Sequence, residues 1–357
     1  MADPLKGRGA ITNRVERFQA TRTTAVDDGW PGDEEDGTPS PLTSVVPEQA
    51  RSVITYNRSP DIGFDRSINP YRGCEHGCIY CYARPSHAYL GLSPGLDFET
   101  RLTYKADAAT LLRTELGRPS YRCAPLMLGA NTDPYQPVER RLRVTRGLLE
   151  VLLETRHPVS IVTKSALVLR DLDLLVPLAR EGLVHVMISL TSMDASLKRL
   201  LEPRAASPAA RLGAIRGLAD AGVPVGTLIA PVIPVITDPE LETLLEKAVA
   251  AGARRAGYVL LRLPHELREL FSEWLQVHHP GKAAHVLSLI AQLRDGKLND
   301  SEFGTRMTGN GVYAALLRRR FSLAKQRLGL RDDEDFGLVC DRFVPPGGAS
   351  PQLALSL

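Results

Sequence analysis

From about residue 52 onward, short β-rich runs alternate regularly with helical patterns. The runs are apolar and rich in valine, isoleucine and leucine, as in strands that are buried on both faces of a parallel sheet. The predicted strands span residues 64–69, 124–130, 158–163, 184–190, 223–230 and 257–261. Successive strand–helix units favour parallel pairing with right-handed crossovers. Six units are fewer than the eight of a closed barrel, so the sequence predicts an α/β chain with a partial (β/α)6 TIM-like barrel.

The remaining segments divide the chain into four predicted parts. Residues 1–50 form a polar leader that is acidic and turn-rich between 27 and 37, which predicts mostly disorder. In the alternative, the segments 6–10 (KGRGA) and 17–18 (RF) dock onto the core. The barrel is expected over 51–275, a C-terminal helical extension over 276–330, and a polar tail over 331–357.

Composition limits the possible environments of the chain. Of 357 residues, 43% are hydrophobic and 24% are charged, which suits a globular protein with a sizeable core. No apolar run approaches the roughly 20 residues that cross a bilayer, and residues 1–24 lack the apolar stretch of a secretory signal. We therefore expect a cytoplasmic protein with no membrane partner. A net charge of +3 is compatible with a nucleic-acid partner but does not require one.

Three of the five cysteines lie within eight positions, at Cys74, Cys78 and Cys81. Structural zinc usually takes four ligands in two separated pairs, and no second pair exists here, because Cys123 and Cys340 stand alone. Three thiolates on one loop suit an iron–sulfur cluster of four irons in which one iron stays open to another ligand. The sequence therefore predicts a 4Fe–4S cluster on these three cysteines.

The motif Cys-x3-Cys-x2-Cys, with Tyr80 just before the last cysteine, resembles the signature of the radical S-adenosylmethionine (SAM) superfamily. The resemblance implies a six-unit partial barrel, which agrees with the strand count. It also implies that SAM chelates the open iron and that its reduction yields a 5′-deoxyadenosyl radical, which abstracts a hydrogen atom from a substrate. An external electron donor of the flavodoxin or ferredoxin type is then required.

A narrower resemblance extends over most of residues 52–330. It is to bacterial proteins related to spore photoproduct lyase, often labelled DNA-repair-photolyase-like. The segments that carry it are 6–10 (KGRGA), 69–74 (NPYRGC), 93–100 (SPGLDFET), 131–139 (NTDPYQPVE), 201–204 (LEPR), 260–264 (LLRLP) and 306–311 (RMTGNG).

The resemblance also suggests which residues contact SAM, because ligands of such barrels lie at the C-terminal ends of the strands. Asp133, after the second strand, matches the position that binds the methionine amino group; in the alternative it caps the turn before Pro134. Lys164, after the third strand, is expected to pair with the methionine carboxylate, as similar lysines do in lyase-like members; in the alternative it is an ordinary surface lysine. Ser189 and Thr191, on one face of the fourth strand, suit that carboxylate or the ribose hydroxyls. Tyr80 is the fifth expected contact.

Other polar residues near the strand ends are further pocket candidates. Arg204 is a candidate for binding a phosphate or carboxylate, unless it pairs internally with Glu202. Tyr135, Arg262 and Arg306 are further pocket candidates, each more typical of a structural role when taken singly.

One position departs from spore photoproduct lyase. That family returns a hydrogen atom to its product from a cysteine near the end of the second strand, where this chain has Asn131. Cys123 lies at the opposite end of the same strand, so repair of a thymine dimer is not expected.

Three hypotheses remain open from the sequence. The first is radical chemistry on a nucleic acid or nucleotide, favoured by the resemblance and by the basic helix at 312–328. The second is the same chemistry on a small molecule or peptide. The third is a nucleic-acid-binding protein with a structural metal.

Overall fold

A computed structural model describes residues 4–18, 42–330 and 336–347. Its strands within these ranges are β1 (Ser44–Glu48), β2 (Ile54–Tyr56), β3 (Arg66–Ile68), β4 (Tyr71–Arg72), β5 (Arg101–Lys105), β6 (Leu126–Leu128), β7 (Val159–Thr163), β8 (Val184–Leu190), β9 (Val225–Val232) and β10 (Arg255–Leu260).

A sheet of seven strands forms the centre of the described part, in the order β10-β9-β8-β7-β6-β3-β2. Six strands of this sheet pair in parallel, namely β3, β6, β7, β8, β9 and β10. Strand β2 adds an antiparallel strand at the β3 edge. Strand β8 is buried along most of its length on both faces, as parallel strands covered by helices are. The predicted partial barrel is confirmed.

Helices follow the strands and cover the outer face of the sheet. They are α1 (Asp97–Thr100), α2 (Ala108–Leu116), α3 (Glu139–Leu142), α4 (Val144–Glu154), α5 (Leu172–Arg180), α6 (Ala195–Leu201), α7 (Pro208–Asp220), α8 (Leu241–Ala250), α9 (Leu267–His278), α10 (Pro280–Gln292) and α11 (Gly311–Arg327). None of the described helices is long and apolar enough to cross a membrane.

One helical pattern, at 138–156, forms two helices instead of one. The chain breaks at Arg143, whose φ of 54° is left-handed, between α3 and α4. The buried Glu139 carboxylate accepts hydrogen bonds from the backbone amides of Thr145 and Arg146, at 3.1 and 3.4 Å. A carboxylate at the first turn satisfies unpaired amides of α4 and interacts favourably with its dipole, which explains the break.

A second, three-stranded sheet was not expected from the sequence. Strand β5 pairs with β1 in parallel and with β4 in antiparallel orientation. Strand β1 contains Pro47 and is largely exposed, and β4 has only two residues, so neither carries a strand pattern. Because β4 ends two residues before Cys74, the cysteine loop leaves this small sheet rather than following the first barrel strand directly.

The described part of the leader, residues 4–18, packs against the barrel. Ala10 and Ile11 are buried, and they join a hydrophobic cluster with Ile79 from the cysteine loop. The backbone amides of Gly9 and Ala10 donate to the Glu99 carboxylate at 3.0 and 2.8 Å. This segment therefore takes the docked alternative, whereas the acidic segment at 27–37 lies outside the described residues.

The C-terminal extension packs into the same hydrophobic cluster as the leader and the cysteine loop. Ala283, Val286 and Ile290 of α10 lie in the cluster that contains Ile79 and Leu201. The last described segment, 336–347, crosses the opposite end of the barrel. There, Val339 and Val344 donate backbone hydrogen bonds to the loops that lead into β8 and β7, at 3.2 and 2.9 Å.

His157 is buried at that N-terminal end of the barrel, where its Nε2 lies 2.6 Å from the Tyr121 hydroxyl. Burial lowers the pKa of His157 to about 4. The unfolded chain, with a pKa near about 6.5, takes up a proton first. The free energy of unfolding should therefore have its full value above about pH 6.5. It should fall as the pH drops towards 4, by up to about 1.4 kcal/mol per pH unit.

We expect His157→Gln to reduce the pH dependence of the unfolding free energy in this window by about that slope. Urea titrations of the apoprotein at several pH values measure it. His285→Gln, at an exposed position, is the control and should keep the wild-type dependence. Equal dependences for His157→Gln and wild type would contradict the assignment.

Candidate active site

The three cysteines lie on a tight loop between β4 and the short 3-10 helix Arg84–Leu90. Cys74 and Cys78 are buried and Cys81 is half-buried, and all three thiols are free. Gly73 and Gly77 adopt left-handed φ values of 76° and 65°, which only glycine takes without strain. The loop is therefore wound so that its thiols share one region.

A buried ion pair holds this loop from inside. Arg84 and Glu99 pair at 2.5 Å, and both side chains are fully buried. The Arg84 guanidinium also donates to the carbonyl oxygens of Gly77 and Cys78 at 3.1 and 2.8 Å. Since Glu99 accepts the leader amides described above, one pair joins the cysteine loop, α1 and the leader.

A second segment, 201–204, runs along the outside of the loop. The Leu201 carbonyl oxygen accepts a hydrogen bond from the Ile79 amide at 3.0 Å, and the Arg204 amide donates to the His76 carbonyl oxygen at 3.2 Å. The Arg204 side chain pairs with Glu75 at 3.1 Å. Arg204 thus takes the internal alternative considered above, although its partner is Glu75 rather than Glu202.

Glu202 is instead the centre of a buried polar network. Its carboxylate accepts hydrogen bonds from Tyr80, Arg211 and Thr191, the last at 2.7 Å. The hydroxyl oxygens of Ser189 and Thr191 both lie 3.2 Å from the Ala230 carbonyl oxygen, so the two side chains lie on one face of β8. Three of the expected SAM contacts are thereby brought together beside the loop.

Asp133 and Lys164 meet at the ends of β6 and β7. The Asp133 carboxylate accepts from the Lys164 amide and the Thr163 hydroxyl, both at 2.7 Å, and from the Tyr135 amide at 2.9 Å. The last bond is the turn cap of the alternative interpretation. His76 Nδ1 lies 3.4 Å from the same carboxylate.

The charges around these two residues differ. Burial would raise the pKa of Asp133, but His76 and the donated hydrogen bonds lower it to about 2. The Lys164 ammonium lies 5.7 Å from the centre of the Tyr80 ring. It also acts to lower the pKa of the Cys78 thiol. Lys164 therefore places a positive charge beside the cysteines.

The donor set of the loop fits an iron–sulfur cluster. Burial raises the pKa of Cys74 and of Cys78, and for Cys74 the next causes are Asp133 and the other two cysteines. Bound cations deprotonate such thiols outright. No group of His, Cys, Asp or Glu side chains in the described ranges is arranged around a single metal ion. A cluster does not require one, because each thiolate binds a different iron.

Sequence reasoning found the cysteines and five neighbours but missed the groups that hold them. Arg84, Glu99 and Arg211 were not singled out, and Glu202 was considered only as a partner of Arg204. The sequence feature that could have identified these buried residues is a charged side chain next to apolar or turn-forming ones, such as Glu99 beside Phe98. Charged residues are almost never fully buried unless they are paired.

Comparison with known families decides the class of the protein. The profile described as "Radical SAM superfamily" matches residues 68–248, which is half of the chain and includes the cysteine loop and the strands from β4 to β9. The chain belongs to the radical SAM superfamily. Members of this family use a 4Fe–4S cluster and SAM, which confirms the cofactors expected from the sequence.

Curated relatives extend the similarity without adding a named activity. Uncharacterized protein Rv2578c of Mycobacterium tuberculosis is 41% identical over 219 residues, which cover 61% of this chain and 64% of that protein. Uncharacterized protein MJ0683 of Methanocaldococcus jannaschii is 27% identical over 196 residues, 55% of this chain and 70% of that protein. The match thus spans less than two thirds of the mycobacterial relative.

Solved structures with a similar fold include spore photoproduct lyase complexed with dinucleoside spore photoproduct. That structure has a TM-score of 0.56 and 17% identity, over 80% of this chain and 79% of that chain. A variant of the same lyase with bound AdoMet and dinucleoside spore photoproduct gives a TM-score of 0.56 and 16% identity over the same shares. At this identity the similarity establishes the fold.

Proposed function

We propose that this radical SAM enzyme abstracts a hydrogen atom from a nucleic-acid or nucleotide substrate. The observation that carries the proposal is the loop of three free cysteines, two of them buried, at the C-terminal end of the barrel, surrounded by the polar groups described above. A 4Fe–4S cluster on these cysteines would supply the electron for reductive cleavage of SAM, and SAM would supply the radical chemistry that removes a hydrogen atom from the substrate.

The chain's own residues divide the work of holding the two cofactors. Cys74, Cys78 and Cys81 would bind three irons. Lys164 suits the methionine carboxylate, because no carboxylate is hydrogen-bonded to its ammonium among the described residues.

The remaining expected contacts are already engaged with the protein. Ser189, Thr191 and Tyr80 hold their hydroxyls on protein acceptors at the same edge. The Asp133 carboxylate already accepts hydrogen bonds from the Thr163 hydroxyl and the Lys164 amide. We propose that it also binds the methionine amino group of SAM, and that its bond to the Lys164 amide orients this residue.

Two observations support the nucleic-acid class of substrate. The fold is similar to that of a lyase solved with a dinucleoside photoproduct. The mouth of the barrel also carries Arg262, which has no carboxylate partner among the described residues. The basic helix α11 gives less support than expected, because Arg320 pairs with Glu242 at 2.7 Å and Arg327 with Glu246.

The proposal does not extend to hydrogen return from a cysteine. Asn131 follows β6 at the mouth, whereas Cys123 precedes β6 at the other end. The Cys123 thiol contacts that of Cys340, and burial followed by this contact raises the pKa of Cys123 to about 12. We therefore expect a product radical that is quenched by another donor.

The test uses the protein reconstituted anaerobically with iron and sulfide, reduced with dithionite and supplied with SAM. Perdeuterated single-stranded DNA, double-stranded DNA and RNA are added separately, with protonated samples as matched controls. We expect one of them to increase 5′-deoxyadenosine formation at least about tenfold and to transfer deuterium into it. A response to a deuterated metabolite or peptide fraction, with none to nucleic acids, would move the substrate to the second hypothesis.

A further inference from the structure

Arg262 lies at the mouth of the barrel, two residues after β10. The neighbouring Leu261 and Leu263 are buried, so the backbone on both sides is fixed. Its guanidinium lies 5.7 Å from the centre of the Tyr82 ring, and Tyr82 directly follows Cys81. The Tyr82 hydroxyl in turn donates to the Ala130 carbonyl beyond β6. Tyr82 therefore crosses the mouth from β6 towards Arg262, beside the cysteine loop.

The guanidinium of Arg262 has hydrogen-bonding capacity that residues 4–18, 42–330 and 336–347 do not use. Its Nε is buried without an acceptor, and its Nη1 meets the Met307 sulfur at 3.7 Å. Of the four buried arginines of the described chain, three pair with carboxylates, as Arg84 does with Glu99, and Arg294 donates to two carbonyl oxygens. A buried donor without a partner costs free energy, so such a group is expected to be completed by a ligand.

The surroundings of Arg262 are positively charged. Arg294 is almost fully buried, and Arg306 holds Asp61 through two hydrogen bonds of 2.7 and 2.6 Å. Burial, followed by the charge of Arg306, lowers the pKa of Arg262, against smaller opposing effects of Tyr82 and Asp61. Burial and the charge of Arg262 likewise lower the pKa of Arg294 to about 10, against a smaller opposing effect of Asp300. An anion bound here would relieve the repulsion among these three arginines.

We propose that Arg262 binds a phosphate of the substrate at the open side of the barrel mouth. The planar guanidinium presents paired donors that match phosphate oxygens, and its site is already partly desolvated. Two exposed aromatic rings lie over the arginines: Tyr82 beside Arg262, and Phe303 at 4.8 Å from Arg306. Exposed rings beside phosphate-binding arginines favour a nucleotide or oligonucleotide over a simple anion, because bases stack on such rings.

This inference rests on the proposed function for the identity of the substrate, and the test separates the two. The reconstituted full-length protein is titrated with fluorescein-labelled ten-nucleotide oligodeoxythymidylate, and anisotropy gives the Kd at several salt concentrations. We expect Arg262→Met to weaken binding roughly 10- to 100-fold and to reduce the salt slope by about one ion. Arg319→Met, which removes the same charge from an exposed position of α11, is the matched control and should change the Kd less than about twofold.

Arg262→Lys keeps the charge but loses the paired donors, so it should recover only part of the affinity. Iron content and the visible absorption of each variant show whether the cluster loop is intact. Equal Kd values and salt slopes for Arg262→Met and wild type would overturn the inference. If the wild type binds no oligonucleotide at low salt, the nucleic-acid proposal fails, and calorimetric titration with inorganic phosphate then decides the site. Phosphate binding that Arg262→Met abolishes would support the site, and phosphate binding that is absent or unchanged would overturn it.

Discussion

Replacing Cys78 by alanine is expected to abolish the cluster and to reduce 5′-deoxyadenosine formation below about one hundredth of the wild-type amount. Cys78 is buried near Glu202, and its own carbonyl oxygen accepts a hydrogen bond from Arg84. No other cysteine of the described chain lies at this end of the barrel outside the loop. In Cys78→Ala, only two of the three cysteine ligands, Cys74 and Cys81, would remain to hold the cluster. The measurements are iron and sulfide content, visible absorption, and product analysis after dithionite reduction with SAM.

The matched control for Cys78→Ala is Cys123→Ala. Cys123 is a half-buried thiol that contacts Cys340 at the opposite end of the barrel, so its loss removes a sulfur without removing a ligand. We expect Cys123→Ala to keep the wild-type iron content and product yield. Full cluster content in Cys78→Ala, or an equal loss in both variants, would show that the loop is not the site of the cluster.

The barrel was predictable from the sequence because its central strands β7, β8 and β9 are buried along most of their length on both faces. Strand β8, Val184–Leu190, was predicted residue for residue, since its apolar run is short and bounded by turn-forming segments. The other barrel strands were predicted with boundaries that differ by a few residues. The small sheet was missed because β1 is exposed and β4 is too short to show a pattern.

The cysteine loop was predictable for a different reason, namely that its ligands are close in sequence. The groups that hold the loop are distant: Glu99 accepts from Gly9 across 90 positions, and Tyr80 donates to Glu202 across 122 positions. Pairings of this kind depend on how the strands assemble, and the spacing of residues does not encode them. The docking of the leader could be offered only as an alternative for the same reason, because its anchor is the distant Glu99 side chain.

The pair formed by Arg84 and Glu99 leads to the second large effect. We expect Glu99→Ala to lower the free energy of unfolding by about 3–5 kcal/mol, because it leaves the Arg84 guanidinium buried without a counter-charge. The same change removes the acceptor of the Gly9 and Ala10 amides. Urea denaturation of the apoprotein under reducing conditions measures the first effect. Hydrogen exchange measures the second as a loss of protection at these two amides.

The control for Glu99→Ala is Glu154→Ala. Glu154 pairs with Arg113 at 2.7 Å, but both side chains are nearly half exposed, so solvent screens the pair. Its loss should cost less than about 1 kcal/mol and leave exchange at the leader amides unchanged. The double variant Arg84→Met/Glu99→Leu should recover part of the stability of Glu99→Ala, because it removes the uncompensated charge, but it should not restore protection of the leader. A Glu99→Ala protein as stable as Glu154→Ala would mean that the cysteine loop and the leader are held by apolar packing, and that the buried ion pair contributes little to either.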